Sequence, residues 1–174
     1  MEVKIKKLNK DAVIPFKKYP SDFCYDVVAV SEEEVAPNVW KYGLGFALQI
    51  MRDTEIIENP IADVDRYGNC YGTIGGKGID LHNSNIKLSI DIRPRSSIYK
   101  TGMVLSNSEG TVDENFTSQI SAIFYHVLPN MPRYKVGDKI AQMKIGATVP
   151  IEFVEVDELE ERDRGMNGYG STNK

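Results

Sequence analysis

An arginine followed by two hydroxyl residues closes the clearest strand-like run in this sequence. Pro94-Arg95-Ser96-Ser97 comes directly after residues 86–93 (IKLSIDIR), which alternate apolar and polar side chains. A guanidinium fork beside two hydroxyls supplies converging donors for phosphate oxygens, although Arg-Ser-Ser alone reads better as a turn with a surface arginine. Three other stretches carry compatible groups. Residues 107–116 (NSEGTVDENF) set an amide, an acid and an aromatic along what reads as a hairpin, with Asn107, Asp113 and Phe116 on one side. Residues 137–142 (GDKIAQ) read as a turn entering a strand, with Gln142 polar inside an apolar run. Residues 164–172 (RGMNGYGST) place Arg164, Tyr169, Ser171 and Thr172 among glycines that include Gly170. Glycine-rich backbone can wrap closely on an anion, and an aromatic there can stack on a base. Each stretch is weak alone; together they share a theme of phosphate and nucleotide chemistry.

Other motifs fail on inspection. Gly75-Gly76-Lys77-Gly78 resembles the end of a P-loop, but Tyr71 stands where the first glycine belongs and Gly78 where the magnesium-binding hydroxyl belongs. Gly43-Leu44-Gly45 lacks the third glycine and the βαβ setting of a dinucleotide site. The sequon Asn115-Phe116-Thr117 has no sign of secretion beside it. Two cysteines (Cys24, Cys70) and two histidines (His82, His126) are too few for a disulfide framework, a Cys-rich zinc site or a His-rich centre.

The elements that must position the surviving groups are strands. Period-2 alternation marks residues 86–93 and 149–154, and nearly so residues 3–8. Apolar or β-branched runs of strand length occupy 25–30, 43–51, 119–128 and 139–145, with turn-rich clusters between them. No run of helical period stands out. Many short strands with frequent turns predict an all-β sandwich, jelly roll or barrel. Residues 51–85 are polar and irregular and hold five of the 14 glycines, which predicts an excursion such as a long hairpin rather than a second core. Residues 157–174 begin acidic and end Gly-rich, and by composition alone read as a disordered terminus.

Length and charge bound the function. At 174 residues, 41% of them hydrophobic and 26% charged, the chain suits one soluble domain that needs no structural metal. Its formal charge of −4 argues against binding a long nucleic acid, and no apolar run approaches a membrane span or a signal peptide. The cytoplasm is the expected compartment, including a host cytoplasm should the chain come from a virus or phage.

Taken in order, the stretches resemble the five motifs of the trimeric dUTPase family. Residues 21–29 (SDFCYDVVA) match the first motif, best over Tyr25-Asp26-Val27; residues 94–97 match the second and 110–116 the third. Residues 137–143 match the fourth, and 164–172 match the fifth almost fully. The resemblance implies an all-β jelly-roll or β-barrel fold of the β-clip type, spanning residues 1–156 with an insertion at about 51–85. It also implies a flexible C-terminal arm, 157–174, that closes over the active site. A homotrimer with active sites shared between chains is expected, with dUTP hydrolysed to dUMP and pyrophosphate. That reaction keeps uracil out of DNA and supplies dUMP for thymidylate synthesis.

The residue roles follow from the same resemblance. Asp113 matches the acid that activates water for attack on the α-phosphorus. Arg95, Ser96, Ser97 and Gln142 match phosphate-side contacts, and Arg164, Gly170, Ser171 and Thr172 match the arm's hold on the β- and γ-phosphates. Asn107, with backbone groups at Thr111 and Val112, matches the uracil-reading pattern. Phe116 stands where the family usually has a Tyr under the deoxyribose, and Tyr169 where the arm usually has a Phe. Asp26 matches the first motif's acid, an organiser near the metal waters or the arginine. Mg²⁺ is the implied cofactor, bound through substrate phosphates and water with no direct protein ligand. Ser97 in place of the usual Gly also resembles the related dCTP deaminases, but residues 119–125 (QISAIFY) lack the acid that deamination needs. A dUTPase-fold interaction protein, with 51–85 as its contact surface, is the non-enzymatic alternative.

Overall fold

The computed structural model describes residues 2–51, 73–74, 77–78, 86–107, 109–149 and 151–160. Two four-stranded antiparallel sheets face each other, and a two-stranded ribbon flanks them. Sheet one has the order β10(Gly110–Asp113), β8(Lys87–Pro94), β12(Lys139–Thr148), β2(Tyr25–Val28). Sheet two has the order β3(Ser31–Ala36), β4(Val39–Gly43), β11(Ser121–His126), β9(Met103–Leu105). The ribbon pairs β1(Glu2–Lys7) with β5(Phe46–Met51), and a short ladder pairs β6(Thr73–Ile74) with β7(Lys77–Gly78). That ladder is the described part of the 51–85 segment; its other residues, apart from Met51, lie outside the described set. A single 3₁₀ turn, Ser96–Lys100, follows Arg95.

Alternation decides which face of each strand is buried. In β8, Leu88, Ile90 and Ile92 point into the core. Their cross-strand neighbours Gly110 and Val112 on β10, and Met143 and Ile145 on β12, share that inner face. Tyr42 and Phe124 meet them from sheet two, with ring centroids 5.8 Å apart and Tyr134 edge-on to both. Ser89, Asp91 and Arg93 therefore project from the outer face, and the residues that carry the chemistry lie there.

Two expectations are corrected. Residues 149–154 form no strand with any described residue, and Ile151 and Phe153 are largely exposed. Their alternation is real, but no described strand pairs with it. Residues 107–116 are not a hairpin either: β9 pairs with β11 in sheet two and β10 with β8 in sheet one, so the chain crosses between sheets at this point.

The middle of the outer face carries a nearly buried ion pair. The Asp91 carboxylate accepts a hydrogen bond from Lys144 Nζ and another, at 2.8 Å, from Ser89 Oγ. Only glycine fits at the adjacent Gly146, where a Cβ would lie 2.5 Å from Asp91 Oδ2. Burial alone would raise the Asp91 carboxyl, but the bonds from Lys144 and Ser89 outweigh it and hold it below the ordinary value. The pair thus contributes stability above the unfolded carboxylate's pKa of about 3.9, and that contribution is lost as pH falls through the lower folded value. Lys144→Met leaves a buried charge unpaired and is expected to cost about 3–5 kcal/mol at neutral pH. Denaturant titrations should show the deficit narrowing below about pH 4 as Asp91 takes up a proton; a deficit independent of pH would contradict this.

Candidate functional site

The phosphate-type residues converge at one end of sheet one. Asp26 on β2, Gln142 on β12 and Arg93 on β8 are direct cross-strand neighbours, so their side chains share the outer face. Arg95 follows β8 directly, two residues beyond Arg93. Its Nε donates to Asp26 Oδ1 at 2.9 Å, and Lys139 Nζ donates to Asp26 Oδ2 at 3.0 Å. Gln142 Nε2 donates to the Pro94 carbonyl at 3.1 Å, fixing the turn into Ser96 and Ser97. An antiparallel bridge between Phe16 and Asp26 anchors the preceding loop, and Lys139 Nζ lies 4.6 Å from the centroid of the Phe16 ring.

Between that loop and the strand ends is a cavity of about 460 Å³. Five cationic side chains line it (Lys17, Lys18, Arg93, Arg95, Lys139) against two carboxylates, Asp22 and Asp26. A chain of net charge −4 has thus gathered positive charge around one concave site, which focuses the field on an anion. Lys17, Lys18, Arg93 and Lys139 are contributors that the motif reading passed over. Lys139 lay inside the fourth motif, but in sequence only Gln142 stood out, because a lysine at a strand start reads as solvated surface.

The other predicted groups gather elsewhere. Thr111 and Asp113 project from the outer face of β10, with Asp113 directly opposite Ser89. The Asp113 carboxylate is exposed and has no hydrogen bond or ion pair among the described residues. Val112 points inward, so what it can offer outward is backbone. The Asn107 amide packs against Gly110, where an added Cβ would lie 3.2 Å from Asn107 Nδ2. Phe116 is partly exposed, its backbone N–H closing a turn onto the Asp113 carbonyl at 3.0 Å. Arg164, Tyr169, Gly170, Ser171 and Thr172 lie outside the described residues.

Sheet geometry sets the gap between the two groups. Asp26 and Asp113 occupy opposite edge strands, three strand spacings or about 14 Å apart sideways. Lengthwise, the Asp26–Gln142–Arg93 row and the Asp113–Ser89 row are four residues apart on β8, about 13 Å. Together these place the two carboxylates roughly 19 Å from each other. One chain therefore presents two half-sites: a cationic cavity, and an amide–acid–aromatic edge.

Donor chemistry also bears on the metal. Among the described residues no group of three or more His, Cys, Asp or Glu is placed to hold an ion. The Asp26 carboxylate is already shared by Arg95 and Lys139. This set suits a magnesium carried on phosphate oxygens and water, and does not form a protein cage.

An all-β fold with a cationic cavity, and an acid set apart from it, defines a class of enzyme that handles phosphate anions. The comparisons narrow the class. A family model described as dUTPase matches residues 77–173, more than half of the chain. The deoxyuridine 5'-triphosphate nucleotidohydrolase of Clostridium novyi is 30% identical over 174 residues, covering 99% of both chains. Among solved structures, the Staphylococcus bacteriophage 80alpha dUTPase with dUPNHPP superposes with a TM-score of 0.65 at 17% identity, over 98% of this chain and 97% of that one. The dUTPase of phage phi11 of S. aureus, whose structure is described as revealing coordination of a structural Mg(II) ion, gives 0.53 at 15% identity over 94% and 99%. The chain belongs to the dUTPase family.

Proposed function

We propose that this chain hydrolyses dUTP to dUMP and pyrophosphate in active sites completed by more than one copy of itself. The observation that carries this reading is the five-cation cavity built on Asp26, Arg95, Lys139 and Gln142, an anion site in an acidic member of the dUTPase family. In the reaction Asp113 accepts a proton from a water whose oxygen attacks the α-phosphorus. The bond from that phosphorus to the β-phosphate oxygen breaks, and pyrophosphate leaves. Arg95 and Gln142, with Ser96 and Ser97, orient the triphosphate; Asp26 holds the Arg95 guanidinium in place. A Mg²⁺ brought in with the substrate would supply neutralisation of phosphate charge, and Asp26 is the residue that would hold its waters.

A water-borne proton transfer needs Asp113 within roughly 7 Å of the α-phosphorus, counting one water between them. The roughly 19 Å separation within one chain does not allow that beside Arg95, so Asp113 serves a cavity on a neighbouring copy. This supports the homotrimer. The arm from Asp157 onward, with Arg164, Ser171 and Thr172 on the outer phosphates and Tyr169 stacked on the base, is the third contribution. At the base, Asn107 and backbone at Thr111 and Val112 read the uracil edge, and Phe116 underlies the deoxyribose. Cytosine reverses the donor–acceptor pattern of that edge, and a buried mismatch of this kind discriminates by roughly 10⁴-fold. No helix among the described residues is long and apolar enough to cross a membrane, in keeping with a cytoplasmic enzyme.

Assaying pyrophosphate and ammonia release from dUTP, dCTP, dTTP and UTP tests the reading. Pyrophosphate from dUTP alone is the expected result. Ammonia from dCTP would establish a deaminase instead, against β11, whose Ser121–His126 carries no carboxylate. Silence with all four would leave a binding module.

A further inference from the structure

Asp113 stands at the end of a short edge strand. β10 has four residues, and its last pair with β8 sets Asp113 against Ser89. Short strands at a sheet edge fray, and the Asp113 carboxylate has no bond among the described residues that would orient it. The direction of this acid is therefore set by its backbone.

The residue after it holds that backbone. Had β10 run one position further, Glu114 would lie opposite Leu88 and its main chain would continue the ladder. The chain turns instead, with the Phe116 N–H donating to the Asp113 carbonyl at 3.0 Å. The Leu88 N–H donates to Glu114 Oε2 at 3.1 Å. A half-buried carboxylate thus takes the place of the missing strand, and an ionised acceptor makes a stronger bond than the ladder carbonyl it replaces.

The anchor is firm on both sides. Leu88 is buried in the core, and β12 flanks it with Ala147 across the strand. Ser89, the partner of Asp113, donates through Oγ to Asp91 Oδ1 at 2.8 Å, and Asp91 in turn pairs with Lys144. The bond from Leu88 to Glu114 ties the turn beside the acid to this central strand.

We infer that Glu114 is a positioning residue for the proposed hydrolysis: its clamp on the Leu88 N–H fixes the backbone at Asp113 and aims the carboxylate at the water it activates. The inference rests on the role proposed for Asp113. Misplacing a reacting group by about 1 Å can cost roughly 10²-fold in rate, so a single hydrogen bond here matters more to turnover than to folding.

Steady-state dUMP formation by the parent, by Glu114 variants, by Asp113→Asn and by the Glu114→Ala/Asp113→Asn double variant tests this. Glu114→Ala removes the acceptor. Its kcat should fall about 10- to 100-fold while the KM for dUTP moves by no more than about threefold. Glu114→Asp keeps the charge but withdraws it by one methylene; it should behave like the alanine variant, and it serves in its place if the alanine chain does not assemble. Glu114→Gln keeps an oxygen acceptor at the same reach and should recover kcat to within about threefold of the parent. In the Asp113→Asn background, Glu114→Ala should lower the residual rate by less than about twofold, because a clamp that acts through the acid has nothing left to aim. Hydrogen exchange at the Leu88 amide should quicken in Glu114→Ala and slow again in Glu114→Gln. Parent-like kcat in Glu114→Ala and Glu114→Asp, beside a slow Asp113→Asn, would overturn this inference alone. So would a full further loss in the double variant, which would give Glu114 a role independent of the acid. An Asp113→Asn chain as fast as the parent would refute the acid assignment, and this inference with it.

Discussion

Replacing Asp113 with asparagine is expected to lower the rate of dUMP and pyrophosphate formation by about 10²- to 10⁴-fold, the usual contribution of a positioned general base. Asparagine keeps the size of the side chain and can still hold a water, but it cannot take that water's proton. The loss should appear in kcat, with the KM for dUTP little changed, because the phosphate grip lies on other residues. Stability and assembly should be those of the parent: the Asp113 carboxylate is exposed at the end of β10 and bonds no described residue, so its charge holds no described part of the fold. Thermal unfolding and sedimentation provide that control. An Asp113→Asn enzyme that turned over dUTP at close to the parent rate would move water activation to another residue.

Several features of the fold were legible from pattern alone. Residues 86–93 alternate because β8 lies in the middle of its sheet, with Leu88, Ile90 and Ile92 in the core and Ser89, Asp91 and Arg93 outside. Near-alternation placed β1, and apolar or β-branched runs of strand length placed β2, β5, β11 and β12. Neither signal marked the β3–β4 hairpin. β3 (SEEEVA) is an edge strand whose Glu33 and Glu34 face solvent while Glu32 pairs with Arg133, so its sequence carries no apolar beat. The turn joining it to β4 relies on Asn38 at φ +61°, a conformation asparagine tolerates better than most residues. Alternation overcalled 149–154, because it reports that a strand wants a partner without saying that this chain supplies one. The cationic cavity was legible only in part. Arg95 and Gln142 stood out as polar groups at strand ends, whereas Lys17, Lys18 and Lys139 joined them through the fold, by way of the Phe16–Asp26 bridge and the β2–β12 pairing. Asp91 and Lys144 lie 53 positions apart in sequence, and nothing local to either announces the other.

Two inactive chains should restore each other. Asp113→Asn lacks the acid, and Arg95→Ala lacks the guanidinium that the phosphates need; each alone should be nearly silent. A single chain holds these residues at opposite corners of sheet one, with Asp26, the anchor of Arg95, roughly 19 Å from Asp113. If every active site takes its acid from one chain and its arginine from another, a mixed trimer contains sites in which both are intact. With the two variants co-expressed in equal amounts and assembling at random, the acid is sound in half of the sites. The arginine is independently sound in half, so the mixture should recover about a quarter of the parent rate. A site complete within one chain predicts the opposite, since every chain in the mixture is broken and no pairing mends it. Mixing the purified variants without subunit exchange should give no recovery, which separates shared sites from residual activity. The Arg95→Ala chain should still assemble, because Asp26 keeps its bond to Lys139 at 3.0 Å and is not left as an unpaired charge. Recovery therefore depends on one copy's β10 edge meeting another copy's cationic cavity, the contact on which the proposed division of the site rests.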